Sequence, residues 1–160
     1  MADVFRGNNL TRVDEKNRLK LPADFKRLVD EKCGPGAKFF ITSLDGKRAQ
    51  LYPIKEWELK EGLLSKLAAS HPARIKFQKY TSYFGAPVEM DNQGRLLLPS
   101  PIREEANLTG EVVVLGMAGT LEPGFLEVTN HEFFKAEMKQ DPLTQDDLAA
   151  LAALGLSSSG

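Results

Sequence analysis

The chain of 160 residues contains a single cysteine, a single tryptophan and only two histidines. No stretch approaches the ~20 consecutive apolar residues of a bilayer-spanning helix. A lone cysteine, Cys33, can form neither an internal bridge nor a cysteine cage for a metal, and it suits a reducing compartment. The opening "MADVFRGNN" has no apolar signal core, because Arg6 arrives at once. His71 precedes a proline at a helix start, and His131 sits in a cap-like "TNHEF". Neither lies near Cys33 or a G-x-S-x-G turn, and no P-loop or dinucleotide fingerprint appears. These absences point away from an enzyme, from a membrane protein and from any bound metal or cofactor.

Basic residues are scarce in one half only. Residues 1–80 hold 17 Lys and Arg against 10 Asp and Glu, a net +7; residues 81–160 hold 4 against 12, a net −8. The formal charge of −1 for the whole chain hides this contrast. The bland reading is two solvated faces of opposite sign. The sharper one is a basic binding half and an acidic half that meet between neighbouring chains.

What the sequence does have is a sentence written twice. "VDEKNRLKLP" begins at Val13, and "MDNQGRLLLP" begins at Met90, a shift of 77. Asp14 falls on Asp91, Arg18 on Arg95, Leu19 on Leu96, Leu21 on Leu98 and Pro22 on Pro99; Phe25 then meets Ile102 and Lys26 meets Arg103. The match continues loosely through "KFFITSLDGKRAQLY" and "EVVVLGMAGTLEPGFLEV", each followed by a helix start, "PIKEW" or "TNHEF". Such order over so many positions marks an internal duplication.

Each copy parses alike: a strand, a tight turn, a second strand, a short helix and a further hairpin. Asp14 and Asp91 are placed to bond the backbone two residues on. Gly94 supplies the positive-φ position of its turn, and Asn17, the non-glycine residue that best tolerates that conformation, stands at the same place in copy one. Pro22 and Pro99 suit a helix start. Phe25, Leu28 and Val29 show helical spacing, and Gly34 suits the helix end. A unit this small cannot close a core alone, so two are expected to pack as a pseudo-symmetric barrel, mostly β with short helices. The segment between them reads as two helices broken at His71–Pro72, with Trp57, Leu64 and Leu67 on one face. The tail after residue 140 reads as a short acidic, Ala/Leu-rich helix with a Ser/Gly end.

Two D-x-x-x-R turns, each in a small β-α-β repeat and 77 residues apart, resemble the MraZ family of bacterial transcriptional regulators. The opening "VFRG", the junction "LYPIKEW" and "MDNQGRLLLP" with "EVVVLG" carry the resemblance further, over roughly residues 4–140. It implies two tandem AbrB/SpoVT-type swapped-hairpin repeats forming one double barrel. Residues 7–55 would be the first repeat, 56–84 a helical linker, 85–130 the second repeat and 131–160 a C-terminal helix and tail. It further implies a cytoplasmic, nucleoid-associated homo-oligomer, a ring of about eight protomers. Such a ring would bind G-rich direct repeats in double-stranded DNA upstream of its own division and cell-wall operon, acting as a repressor. Asn17 departs from the family's usual glycine in the first turn.

In that reading a β-ribbon tipped with arginine enters the major groove, where a guanidinium pairs bidentately with guanine. Lys16, Arg18 and Lys20 fall within five residues in the first turn, whereas the second keeps only Arg95. Copy one is therefore expected to contact DNA, with Arg6 and Arg12 adding phosphate contacts and Asp14 fixing the turn that aims Arg18. Asp91, Gly94 and Arg95 are expected mainly to hold fold and assembly. The competing reading of either Asp–Arg pair is a plain salt bridge across a turn. Lys55, Lys60, Lys66, Arg74, Lys76 and Lys79 read as a solvated helix face. An antitoxin-like or pure assembly protein of the same fold is the alternative to a regulator.

Overall fold

A computed structural model describes residues 3–157 of the chain. In copy one, β1 (Asn8–Val13) and β2 (Arg18–Lys20) flank the first turn. α1 (Ala23–Cys33) follows, then β3 (Lys38–Thr42), β4 (Ala49–Pro53) and α2 (Ile54–Leu64). After α3 (Pro72–Tyr83) the pattern returns as β5 (Ala86–Glu89), β6 (Arg95–Leu97), α4 (Ser100–Glu105), β7 (Gly110–Met117), β8 (Phe125–Asn130) and α5 (His131–Gln140). A last helix, α6 (Gln145–Ala152), lies in the tail. The Ser/Gly end expected beyond it falls partly on residues 158–160, outside the described residues. Among the described residues no helix is long and apolar enough to cross a membrane.

All eight strands join one antiparallel sheet in the order β5-β3-β4-β8-β7-β1-β2-β6. Its two end strands are consecutive in the chain and meet at their own turn, where Asp91 N–H donates to Arg95 O at 3.0 Å. The sheet is thereby curled into a nearly closed barrel. The copies exchange their hairpins: β1 pairs with β7 of copy two, and β5 pairs with β3 of copy one. Two pairings lie on the pseudo-twofold axis. Leu19 sits opposite Leu96, and Gln50 opposite Glu127; each pair is separated by the same 77 residues that separate the copies.

The core is written in matching pairs. Val13 and Met90, Leu19 and Leu96, Leu21 and Leu98, Phe25 and Ile102, and Leu51 and Val128 are all buried in one cluster. Full burial of side chains of this size contributes about 1.5–3 kcal/mol each, and both copies place theirs in the same cluster. Strand alternation directs this: in β2, Leu19 is buried between Arg18 and the exposed Lys20. The helices end on local signals. Gly34, at φ 82°, receives the terminus of α1 and donates its N–H to Asp30 O.

The connection between copies is a pair of helices, the second starting at Pro72 as expected, but the first ends well before the break at His71. α2 stops at Leu64, and α3 starts at Pro72 with His71 as its cap, the ring Nδ1 accepting from Ala73 N–H. Gly62 weakens the last turn of α2, and Ser65 Oγ donates to the Gly62 carbonyl at 2.7 Å. Tight turns carry the chain onward, so Leu67 lies beyond the helix that holds Trp57.

Candidate nucleic-acid interface

The two turns are built alike. Asp14 Oδ1 accepts the backbone N–H groups of Lys16 and Arg18, both at 2.9 Å, and Asp91 Oδ1 accepts those of Gln93 and Arg95, both at 2.9 Å. The second oxygen takes the guanidinium: Arg18 Nε donates to Asp14 Oδ2 at 2.9 Å, and Arg95 Nε to Asp91 Oδ2 at 2.8 Å. Asn17 holds φ 66° and Gly94 φ 75°, as both turns require. Both carboxyls lie below the usual aspartate value, above all because the backbone N–H of Arg18 or Arg95 stabilises the charged form, with the guanidinium adding to it. Each turn is then locked to the other copy, since Leu21 N–H donates to Gly94 O and Leu98 N–H to Asn17 O.

A guanidinium held by its Nε keeps an end-on pair of N–H groups, one from each terminal nitrogen, directed away from the carboxylate. Those of Arg18 make no hydrogen bond to any described residue. They form the end-on fork that pairs with two adjacent acceptors, such as guanine O6 and N7. The salt-bridge reading and the DNA reading are therefore compatible at this residue: the bridge fixes the side chain, and its free end remains available.

The structure regroups the basic residues that the sequence places together. Lys16 is exposed at the tip of the first turn, next to Arg18. Lys20 stands at the other end of β2, opposite Arg95 on β6, while Arg18 stands opposite Leu97. Arg18, Lys20 and Arg95 thus share the outer face of one two-stranded ribbon, Arg18 and Arg95 about 7 Å apart along the strands. Arg12 is exposed on the neighbouring β1, but in register with Glu111, whose carboxylate also meets His131 Nδ1 at 2.6 Å. Arg6 lies beyond the opposite end of β1, roughly 20 Å of strand from the first turn, where Gly116 packs on its backbone. The structure does not bring Arg6 to the turn.

One contributor escaped the sequence reading. Lys26 of α1 lays its stem over the second turn, so that a Cβ at Gly94 would stand 2.7 Å from its Cδ. Lys26 also pairs with Asp30 at 2.7 Å. The duplication held the signal for Lys20 beside Arg95: once β2 and β6 pair across an axis through Leu19 and Leu96, the register follows. Nothing local announced Lys26. Among the described residues no cluster of His, Cys, Asp and Glu is arranged to hold a metal.

Comparison with known proteins matches residues 86–152 to the family described as "MraZ protein, putative antitoxin-like". A protein of Acidobacterium capsulatum named "Transcriptional regulator MraZ" is 54% identical over 96% of this chain and 100% of its own length. Proteins of the same name from Koribacter versatilis and Serratia proteamaculans are 43% and 32% identical, over 96% and 91% of this chain and 100% and 95% of their own lengths. With two duplicated Asp–Arg turns in one exchanged-hairpin barrel and relatives aligned nearly end to end, the chain belongs to the MraZ family.

Proposed function

We propose that this chain is a sequence-specific DNA-binding transcriptional regulator. The observation that carries the reading is the tethered Arg18, with its terminal nitrogens free on the outer face of a rigid ribbon that also bears Lys20 and Arg95. The names of its relatives agree with this class of function. Arg18 reads a base, Lys16 and Lys20 contact phosphates, and Asp14 and Asn17 hold the turn. Arg95 joins the patch from copy two, aimed by Asp91 and Gly94. Arg12, beside Glu111, contributes less, and Arg6 contacts DNA only where the duplex extends past the far end of β1.

One such patch binds weakly. A ring of about eight protomers would offer it repeatedly to G-rich direct repeats, and effective concentration would raise the affinity far above that of a single contact. The site of action is the DNA upstream of the chain's own operon, in the cytoplasm on the nucleoid, and the expected effect is repression.

Binding to that upstream DNA, measured at two salt concentrations, tests the reading. Arg18→Ala should remove specific binding, at a cost of about 1–3 kcal/mol per protomer contact, with the oligomer unchanged by size exclusion. Lys16→Ala should instead weaken all sequences alike and lower the salt slope by about one. Equal binding by wild type and Arg18→Ala would leave both turns purely structural.

A further inference from the structure

The pseudo-twofold axis places two helical arms at equivalent positions. β4 and β8 pair antiparallel across the axis, so α2 leaves one end of this pair and α5 leaves the other. The arms differ in charge. Residues 54–83 hold six Lys and Arg against three Asp and Glu, a net +3; residues 131–157 hold two against five, a net −3. From residue 140 onward there is no lysine or arginine at all. Two flanks related by symmetry thus carry opposite signs.

Their apolar surfaces are complementary too. On the basic arm, Trp57, Tyr52 and Phe77 floor a groove of about 320 Å³ rimmed by Leu44, Leu63 and Leu67. The rim leucines are 47%, 53% and 38% exposed. Lys60 stands at its edge with Nζ 5.4 Å from the Tyr52 ring centre. Lys60, Lys66, Lys76 and Lys79 have no ion-pair partner among the described residues. On the acidic arm, α6 is properly started by a capping box between Thr144 and Asp147, yet buries no residue. Leu143, Leu154 and Leu156 around it are 65%, 76% and 69% exposed. An Ala/Leu helix with half-buried Leu148 and Leu151 on one side and exposed Leu154 just past its end is a segment that gains stability by entering a groove.

We infer that α6 and its flanking leucines dock into the α2–α3 groove of a second copy of this chain, with Asp141 and Asp146 facing Lys60 and its neighbours. The occupant is another copy because charge and apolar complement lie on opposite flanks of one molecule, and Leu143, Leu154 and Leu156, which flank α6, stay exposed on their own chain. Each chain carries one groove and one α6, so the contact is heterologous and repeats head to tail, closing into a ring when its rotation closes. The inference rests on the ring in the proposed function and assigns its interface. It also gives the leftover basic helix face a role that is not DNA binding.

The test is the mass of the oligomer by light scattering, with location by cross-linking. Leu154→Ser/Leu156→Ser should weaken self-association about hundredfold while leaving the circular dichroism spectrum and melting temperature of the barrel unchanged. In a Cys33→Ser background, a Leu63→Cys chain mixed with a Leu154→Cys chain should form a covalent heterodimer on oxidation. A doubly substituted chain that cross-links only within itself would assign α6 to its own groove and overturn the inference. An oligomer unaffected by the serine variant would overturn it as well, leaving the ring with another interface. A monomeric wild type would remove both the interface and the ring.

Discussion

At the scale of single residues, the two turns repeat one geometry. Asp14 and Asp91 make the same contacts within 0.1 Å, so bond length does not separate Arg18 from Arg95; they differ in their surroundings, Arg18 having Lys16 at its own turn and Arg95 having Lys20 across the ribbon. Both aspartates have folded-state pKa values depressed below the usual aspartate value of 3.8 by the N–H groups and guanidinium whose hydrogen bonds they accept. The unfolded chain therefore takes up protons at a pH where the folded chain still resists them. The stabilisation is present above 3.8 and is lost as the pH falls through the lower folded values. A urea midpoint followed from neutral pH down through that range should decline. The decline should be shallower in Asp14→Asn/Asp91→Asn, which cannot change charge at these positions. If the variant keeps the full acid sensitivity of wild type, other carboxylates govern the acid limb. On DNA, Asp14→Asn should weaken specific binding by freeing Arg18 to rotate, although no atom facing DNA has changed.

At the scale of elements, the turn–strand units carry nearly all that was readable from sequence. The Asp, Arg, Leu and Pro repeat gave β2, β6 and both turns; the spacing of Phe25, Leu28 and Val29 gave the buried face of α1. Contacts that cross the fold left no such trace. Glu56 is buried on α2 and accepts Leu121 N–H at 2.8 Å, 65 residues away. Arg48 joins Asp45, Glu127 and Glu137, the last of them 89 residues away. No local period encodes such pairs, and Lys26 over Gly94 belongs with them. That contact makes the copies unequal in a measurable way. Asn17→Gly relieves a side chain at φ 66° and should stay within about 0.5 kcal/mol of wild type. Gly94→Ala introduces a Cβ at φ 75° against Lys26 and should cost about 1–2 kcal/mol. Denaturant titration of the two variants checks the pair. Equal effects would mean that Lys26 yields freely and the glycine is dispensable.

At the scale of the whole molecule, the exchange of hairpins decides what counts as a folding unit. In sequence the chain is two repeats; in space no repeat owns a finished sheet. β1 takes its long pairing from β7, and β5 takes its from β3. The axis pairs Leu19–Leu96 and Gln50–Glu127 exist only when both copies are present. A fragment of residues 1–55 would lose β7 and β8, which flank β1 and β4 on their other edges, and its leucines at 19, 21 and 51 would face water instead of the other copy. A core halved in this way falls below what about 50 residues need to remain folded. The intact chain should accordingly unfold in a single transition with coincident circular dichroism and fluorescence curves. The fragment at micromolar concentration should show no native sheet as a monomer. Sheet structure should return only with second-order dependence on concentration, as two fragments supply each other's missing strands. A folded, monomeric fragment would contradict the exchanged topology itself, and with it the argument that Lys20 and Arg95 face DNA together.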